Sequence, residues 1–372
     1  MFVHVTPIES LHALRAVWQQ LAVQAPHSFY LSWHWIGTWL RCLPPSVNPS
    51  LLSVSNGNVT IALAVLVKSR VTFRPLLTVD AWVLNATGRP ELDCICTEYN
   101  GLLLHEQHSQ EAWQAVLGYM EVNQDGWDEI HLHGVPRELM ANWKDRGRPV
   151  REVRADTSRF VDLDEVRAAS AGSNLALVSR KTRWTIRKTR KSLEQQHGPI
   201  STQIAGTLAE ARYFLNELRG LHRTRWPNSD FSTSFATQFH DRLVGDNFDS
   251  GVVQLARVRA GEVTVGLVYS FVYGGSVLVY QTGFNYAVAG QGDSIGLMTH
   301  SELIDVNAAL GLKSYDLMAG NSPYKRALTS KSRDLWWGAL QASRGKLRAE
   351  AFVRSMLRAA RQTFRGTNRK PD

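Results

Sequence analysis

Long apolar runs are missing from this chain of 372 residues. The longest clean one, Ile61 to Val67, stops at Lys68, well short of the roughly 20 residues a membrane-spanning helix needs. The N-terminus has no basic segment leading into an apolar block, and Glu9 falls where that block would lie, so no signal peptide is expected. Cysteine is scarce. Cys42, Cys94 and Cys96 are an odd number without metal-ligand spacing, so neither a disulfide framework nor a metal site is expected. Cys94 and Cys96 would share one face of a strand, which favours buried thiols in a reducing cytoplasm. With 44% hydrophobic and 20% charged residues the chain reads as an ordinary globular protein. Its length suits two domains better than one.

Acidic residues are in deficit, and the net charge of +9 is unevenly spread. Residues 180–191 read RKTRWTIRKTRK, and the tail after Arg344 is rich in arginine. Such a balance attracts phosphate groups, whether in a nucleotide cofactor, RNA or an anionic membrane surface. The 180–191 stretch reads as a helix with Arg183, Arg187 and Arg190 on one stripe. That stripe is either a grip for an anionic substrate or a solvated face. In the tail, Leu347, Phe352, Met356 and Leu357 lie among arginines, a pattern suited to a partner helix, a membrane surface or packing on its own domain.

Self-similarity is the most informative feature present. Val54-Ser-Asn-Gly-Asn-Val-Thr-Ile-Ala-Leu63 aligns without gaps on Val258-Arg-Ala-Gly-Glu-Val-Thr-Val-Gly-Leu267. Each copy has the pattern of a β-hairpin, an alternating run, a glycine turn and a longer apolar strand. Helical stretches precede each hairpin, at Leu11 to Leu21 and Ser32 to Leu43, and again at Leu208 to Arg225 and Phe235 to Val244. In the second half a meander over Val252 to Gly283 leads to a helix from about Ser294 to Leu310, closed by Gly311, and then to a strand Ser314 to Met318. This order predicts an α/β (α+β) architecture of two tandem halves, each a mixed, mostly antiparallel sheet flanked by helices. The halves divide near residue 165, giving 1–165, 166–340 and a basic amphipathic tail over 341–372.

Between the meander and that helix the chain reads YAVAGQGDSIGL, residues 286–297. Gly290, Gly292 and Gly296 loosen the backbone where a strand hands over to a helix. Asp293 or Ser294 is placed to cap it. Amides freed there, with the helix dipole, suit an anion such as a diphosphate. Asp316 then interrupts an apolar strand ahead of a Gly-Asn-Ser-Pro turn and the pair Tyr324-Lys325.

Four ordered segments, Leu221-His-Arg-Thr-Arg-Trp226, Gly283-Phe284, Ser294-Ile-Gly296 and Tyr315-Asp…Gly320…Tyr324-Lys325, together resemble the GNAT-like acyltransferases of the CelD/BcsL type associated with bacterial cellulose biosynthesis. These are distant relatives of the Fem-type aminoacyl transferases. The resemblance covers about residues 170–335, and extends more loosely to the segment around Trp33 and Trp35. It implies two GNAT-like halves and transfer of an acyl group from acetyl-CoA or another acyl-CoA to an amine or hydroxyl of a sugar or exopolysaccharide precursor. It also implies that Gly290, Gln291, Gly292, Ser294, Ile295 and Gly296 cradle the CoA diphosphate. The acceptor would be a small molecule or a lipid- or nucleotide-linked sugar, bound by a cytoplasmic protein or one peripheral at the inner face of the membrane. Two departures stand out: Asn321-Ser322 replaces an acid in the turn, and Ser-Ile-Gly replaces Ser-Pro-Gly at the helix start. A Fem-like enzyme using aminoacyl-tRNA, with the basic stripe as its RNA contact, is the alternative. A non-catalytic scaffold for a polysaccharide synthase is another.

Acyl transfer from a thioester needs a base for the acceptor, a stabilised oxyanion and an acid for the leaving thiolate. His222, surrounded by Arg219, Arg223 and Arg225, is a candidate base kept neutral by its cationic setting, or an ordinary polar contact. Asp316 is expected to face the cleft as base, as a partner orienting His222, or as a structural partner of Lys325 or an arginine. Tyr324 is a candidate acid with Tyr280 a second, and Lys325 would pair with a phosphate or with Asp316. Arg183, Arg187, Trp226 and Tyr280 are candidates for substrate binding.

Overall fold

The computed structural model describes the chain apart from residues 74–76, 124–125, 138, 140–143, 145–146, 354–355 and 357–372. Both copies of the repeated stretch are hairpins. The first joins β2 (Pro49–Asn56) to β3 (Val59–Phe73), and the second joins β9 (Val253–Ala260) to β10 (Val263–Tyr273). Each turn needs a left-handed residue and has glycine there, with φ of +59° at Gly57 and +54° at Gly261. Their registers agree in a finer detail. In one hairpin Ser55 faces Thr60 and Val54 faces Ala62, so Ile61 bulges; in the other Arg259 faces Thr264 and Val258 faces Gly266, so Val265 bulges. Ile61 and Val265 are the same position of the repeat. A shared bulge identifies two copies of one design better than a shared hairpin does.

The remaining strands are β1 (Phe2–Pro7), β4 (Leu77–Leu84), β5 (Leu103–Leu104), β6 (Glu129–Pro136), β7 (Val150–Asp162), β8 (Ile200–Ile204), β11 (Ser276–Phe284), β12 (Ser314–Ala319) and β13 (Ser332–Gln341). Among the described residues they form one sheet of 13 strands, ordered β1-β2-β3-β4-β6-β13-β7-β12-β11-β10-β9-β8, with β5 on the side of β3. Read from either edge inward, the order is the same: four antiparallel strands, then one joined in parallel (β4 to β6, β11 to β12). The last strand of each half is exchanged. β7 pairs with β12 of the second half, β13 pairs with β6 of the first, and the two meet antiparallel at the centre.

Helices α1 (Leu11–Ala22), α2 (Trp33–Cys42) and α3 (Ser109–Val122) serve the first half. The second half has α4 (Leu163–Ala168), α5 (Arg180–His197), α6 (Leu208–Arg225), α7 (Ser234–Asn247), α8 (Ile295–Ala309) and α9 (Pro323–Leu328). On one face of the sheet α1, α2, α6 and α7 share a single core. Phe29 stacks on Phe271 at 4.2 Å between ring centres, and Trp35 meets Phe239 edge-on at 4.8 Å. The tryptophan-rich segment is thus the seam between halves. On the other face each half keeps its own core, around α3 in one and α8 in the other. None of the described helices is long and apolar enough to cross a membrane.

Local periodicity located α6 and α8 to within a residue or two, with Gly311 past the end of α8 at φ +80°. Cys94 and Cys96 differ from expectation. They lie in the irregular segment between β4 and β5 rather than on a strand, with Cys94 buried and Cys96 exposed as free thiols. A helix does begin at residue 345 and buries Leu347, while Phe352 and Met356 are exposed; Leu357 and the rest of the tail lie outside the described residues.

The strands next to the centre carry a second shared bulge. His133-Gly134 on β6 and Leu317-Met318 on β12 are the extra residues, with φ of +63° at Gly134 and +62° at Met318. A Cβ on Gly134 would lie 2.9 Å from the Thr97 carbonyl oxygen and 3.0 Å from the Glu98 Cα. Gly134→Ala should therefore destabilise the protein by about 1–3 kcal/mol in urea unfolding. Gly57→Ala, at a similar φ but facing open space, should cost about 1 kcal/mol.

Candidate active site

Parallel pairing of β11 with β12 covers only Ser276, Val277 and Leu278 against Ser314, Tyr315 and Asp316. Beyond that point both strands bulge, β11 at Tyr280 and β12 at Leu317-Met318. A bulge bends its strand and sharpens the local twist, so the two strands splay. The splay opens onto a cavity of about 720 Å³. Val279 to Thr282 and Leu317 to Ala319 form its floor, the loop Trp226 to Phe231 one wall, and Cys94, Cys96 and Glu98 the other. Tyr324 and Lys325 close the end.

The corresponding splay in the first half is filled. Asn85, at φ +49°, accepts from Val65 N at 2.8 Å and donates to Asn100 Oδ1 and the Gly101 carbonyl at 2.9 and 2.7 Å. A hollow of about 270 Å³ remains, and it shares Cys96 and Glu98 with the larger cavity. The filling segment does more than plug its own half. It carries Glu98 across to the other half, where the carboxylate accepts the Ala319 amide at 2.8 Å.

Glu98 was not recognised from the sequence. Burial pushes its carboxyl up to about 7, against opposing pulls from the Ala319 amide and Lys325. Although part of Cys96 is open to solvent, desolvation, helped by the charges of Glu98 and Asp230, pushes its thiol up to about 11. Both flanks of Glu98 are strained, Cys96 at φ +47° and Tyr99 at +50°, as expected where surrounding contacts dictate the backbone.

Asp316 does not line the cavity as expected. It is fully buried beneath the floor and accepts four donors: Tyr99 Oη at 2.6 Å, Ser158 Oγ at 2.7 Å, the Met318 amide at 2.8 Å and Arg333 at 3.3 Å. A carboxylate with its lone pairs so used is a structural anchor rather than a base. It joins the Glu98 segment, both exchanged-strand regions and the β12 bulge. Lys325 likewise does not pair with Asp316. Its ammonium donates to the Met318 and Ala319 carbonyls at 3.0 and 2.7 Å, and burial lowers its pKa against the pull of Glu98.

His222 lines the cavity, with Nδ1 3.2 Å from the Thr282 carbonyl and Nε2 2.9 Å from Ser229 Oγ. The carbonyl only accepts, so Nδ1 carries the proton and Nε2 accepts from the hydroxyl. Its pKa is lowered, but by burial rather than by neighbouring arginines. Arg219 bonds Asp241 at 2.7 Å, and Arg225 lies over the Trp226 and Tyr286 rings. Tyr324 stacks flat on the buried His300 at 5.2 Å, and burial lifts its phenol to about 12. Tyr280 also reaches the cavity, yet its hydroxyl is committed to the Ile95 carbonyl and His240 at 2.7 and 3.0 Å. Trp226 stands exposed on the rim.

The glycine-rich loop is preformed against α5. Ser294 takes the N-cap position as expected, but neither it nor Asp293 makes a side-chain capping bond: Asp293 Oδ2 accepts the Gly290 amide at 2.9 Å, and Ser294 gives its amide to Thr189 Oγ1 at 2.9 Å. Two of the amides expected to be free are therefore occupied. No acceptor among the described residues reaches the amides of Ile295 and Gly296. Lys188 bonds the Gln291 carbonyl at 3.1 Å, so a cation stands beside the loop. The arginine stripe on α5 does not act as a unit. Arg183 folds onto the Ala176 and Val178 carbonyls, Arg190 pairs with Glu194 and Glu302, and Arg187 is exposed.

Glu98 has a testable effect on stability. Its folded pKa of about 7 lies above the ordinary value of 4.5, so the folded protein holds the proton more tightly. The stabilisation is full below pH 4.5 and is lost as pH rises through 7. Glu98→Gln, which keeps an acceptor for Ala319, should gain about 1–3 kcal/mol relative to wild type between pH 5 and 8. Asp316→Leu, which installs the residue found at this position of the first-half bulge (Leu132), should cost about 3–5 kcal/mol by stranding its donors. Chemical unfolding at several pH values measures both.

Residues 180–326 match the family model described as acetyltransferase (GNAT) domain. No curated protein matches the chain. Among solved structures, FemX superposes with a TM-score of 0.55 at 10% identity, covering 90% of this chain and 97% of that one. A C-terminal domain (DUF2156) ascribed to a lysylphosphatidylglycerol synthetase of Agrobacterium fabrum gives 0.52 at 8% identity, covering 90% and 94%. A protein of unknown function from Bacteroides thetaiotaomicron gives 0.52 at 10%, covering 91% and 100%. These likenesses are of fold alone, and none is particular to the cellulose-associated type. Residues 180–326 thus resemble a GNAT domain, the doubled, mostly antiparallel sheet flanked by helices is consistent with a tandem GNAT-like fold, and the chain shares its overall fold with FemX and the DUF2156 domain.

Proposed function

We propose that this protein is an acyl-CoA-dependent acyltransferase, with acetyl-CoA the first donor to test, acting on an amine or hydroxyl of a sugar or envelope precursor. The observation that carries the reading is the splay of β11 from β12 above a cavity in which a carboxyl group is tuned to about 7. Beyond Leu278 and Asp316 each strand loses its partner, and an extended carrier with amide groups, such as pantetheine, is suited to the gap. The carrier's diphosphate would sit at the loop Gly290-Gln-Gly292, facing the open amides of Ile295 and Gly296 rather than the occupied one of Ser294, with Lys188 and the exposed Arg187 supplying positive charge. Arg183 has no such role, because its guanidinium is turned onto the chain before α5.

The cavity volume suits a sugar-sized acceptor, and the Trp226 ring on the rim suits a sugar face. Glu98 takes the proton of the acceptor, since a carboxylate with a pKa near neutrality combines availability with basicity. Tyr324 returns a proton to the departing thiolate. Lys325 and Asp316 position rather than react, by fixing the β12 bulge on which Glu98 rests. Asn321, in place of an acid, holds Arg326 through its carbonyl and side-chain oxygens at 2.7 and 2.8 Å and does not line the cavity, so the scheme needs no acid there.

One observation favours a second reading. The outer face of α5 exposes Trp184 with Arg180, Lys181, Arg187 and Lys191, a surface suited to a tRNA backbone, as a Fem-like aminoacyl-tRNA-dependent transferase would need. Titration calorimetry separates the two: acetyl-CoA should bind, and tight binding of aminoacyl-tRNA with none of acetyl-CoA would discard the leading reading. With an accepted substrate, kcat/KM should fall tenfold per pH unit below 7. Glu98→Gln should remove that limb and lower kcat/KM by about 100-fold or more. Tyr324→Phe should lower kcat, and less so for donors with acidic thiols.

A further inference from the structure

His222 and Ser229 take no part in that scheme, yet they face the same cavity in a reactive arrangement. The Thr282 carbonyl, on β11 just beyond the bulge, holds the imidazole with Nδ1 protonated and the Nε2 lone pair turned to Ser229 Oγ, 2.9 Å away. The Phe231 amide donates to the same Oγ at 3.2 Å. It fixes the hydroxyl with its proton toward the imidazole and lowers the cost of negative charge on oxygen as that proton leaves. The Phe231 ring packs edge-on against the imidazole at 5.6 Å, which limits its rotation. Nucleophile, base and an orienting acceptor on the far ring nitrogen are the three parts of an activated serine. Thr282 belongs to the strand edge along which the carrier is proposed to lie, which brings the thioester toward Ser229.

We infer that Ser229 is the nucleophile of a covalent acyl-serine intermediate, activated by His222, so that the acyl group crosses this site in two steps; the identity of the donor rests on the reading above. In the first step Ser229 Oγ attacks the thioester carbonyl, its proton passes to His222 Nε2, the C–S bond breaks, and the thiolate takes a proton from Tyr324. In the second, the acceptor attacks the serine ester as Glu98 removes its proton. The C–Oγ bond breaks and His222 returns its proton to Ser229. Glu98 and Tyr324 then exchange the remaining proton through solvent, and no oxidant or further reactant is needed.

The test uses the full chain without acceptor, with two acylating probes: acetyl-CoA, and p-nitrophenyl acetate, which needs no CoA site. Each is expected to leave one acetyl group per chain, and peptide mass spectrometry should locate it on Ser229. With p-nitrophenyl acetate a burst of one equivalent of nitrophenolate should accompany it. Ser229→Ala should abolish the adduct, His222→Gln should slow its formation 100-fold or more, and Ser229→Cys, a check against misfolding, should trap it as a thioester. Acetyl transfer to an acceptor at wild-type rate by Ser229→Ala, or an adduct on Cys96 in place of Ser229, would overturn the inference while leaving the acyltransferase reading intact. Acylation of Ser229 by p-nitrophenyl acetate but not by acetyl-CoA would uphold the nucleophile and remove CoA as its donor.

Discussion

The buried carboxylate of Asp316 receives hydrogen bonds from four separate segments. A buried charge is tolerable only when its lone pairs are so occupied. The donors are not interchangeable parts of one loop. Tyr99 comes from the first half's plug, Ser158 from β7, Arg333 from β13 and the Met318 amide from the bulge itself. Asp316 thus fixes where two halves, two exchanged strands and a strained backbone meet. The non-glycine φ at Met318 persists because Asp316 holds its amide and Lys325 holds its carbonyl.

That junction turns a duplicated fold into an asymmetric one. The two halves share hairpin bulges, parallel steps and central bulges, yet only one splay is open. In the first half Asn85 and the segment after it occupy the gap, and Leu132 stands where the second half has Asp316. The filled half then serves the open one by lending Glu98. Threading the carboxyl between two bulges desolvates it, and desolvation is what raises its pKa into the range useful for a base. The exchange of β7 and β13 keeps the halves from moving apart at this point.

Much of the architecture was legible in local pattern. The gapless match of residues 54–63 to 258–267 announced the duplication, and the spacing in Leu208–Arg225 and the glycine at 311 marked helix limits now seen in α6 and α8. His222, Tyr324 and Lys325 were singled out and all border the cavity. Asp316 was singled out too, but alternation along an ideal strand misplaces it, because the bulge that follows changes which side the chain presents. Glu98 gave no signal. It sits in an irregular stretch of the other half, 221 positions from the amide it accepts, and its neighbours Cys96 and Thr97 have no periodicity to assign it a face.

The sequence by itself determined the two copies, their helices and hairpins, and the glycine-loosened start of α8, since these depend on residues within a few positions of one another. Tertiary structure alone decided the strand exchange, which splay stays open, and which carboxylate is anchored and which is left to titrate. The physical reason is that burial and hydrogen-bond partners set the behaviour of an ionisable group, and for Glu98, Asp316 and His222 these come mainly from distant parts of the chain or from loop backbone.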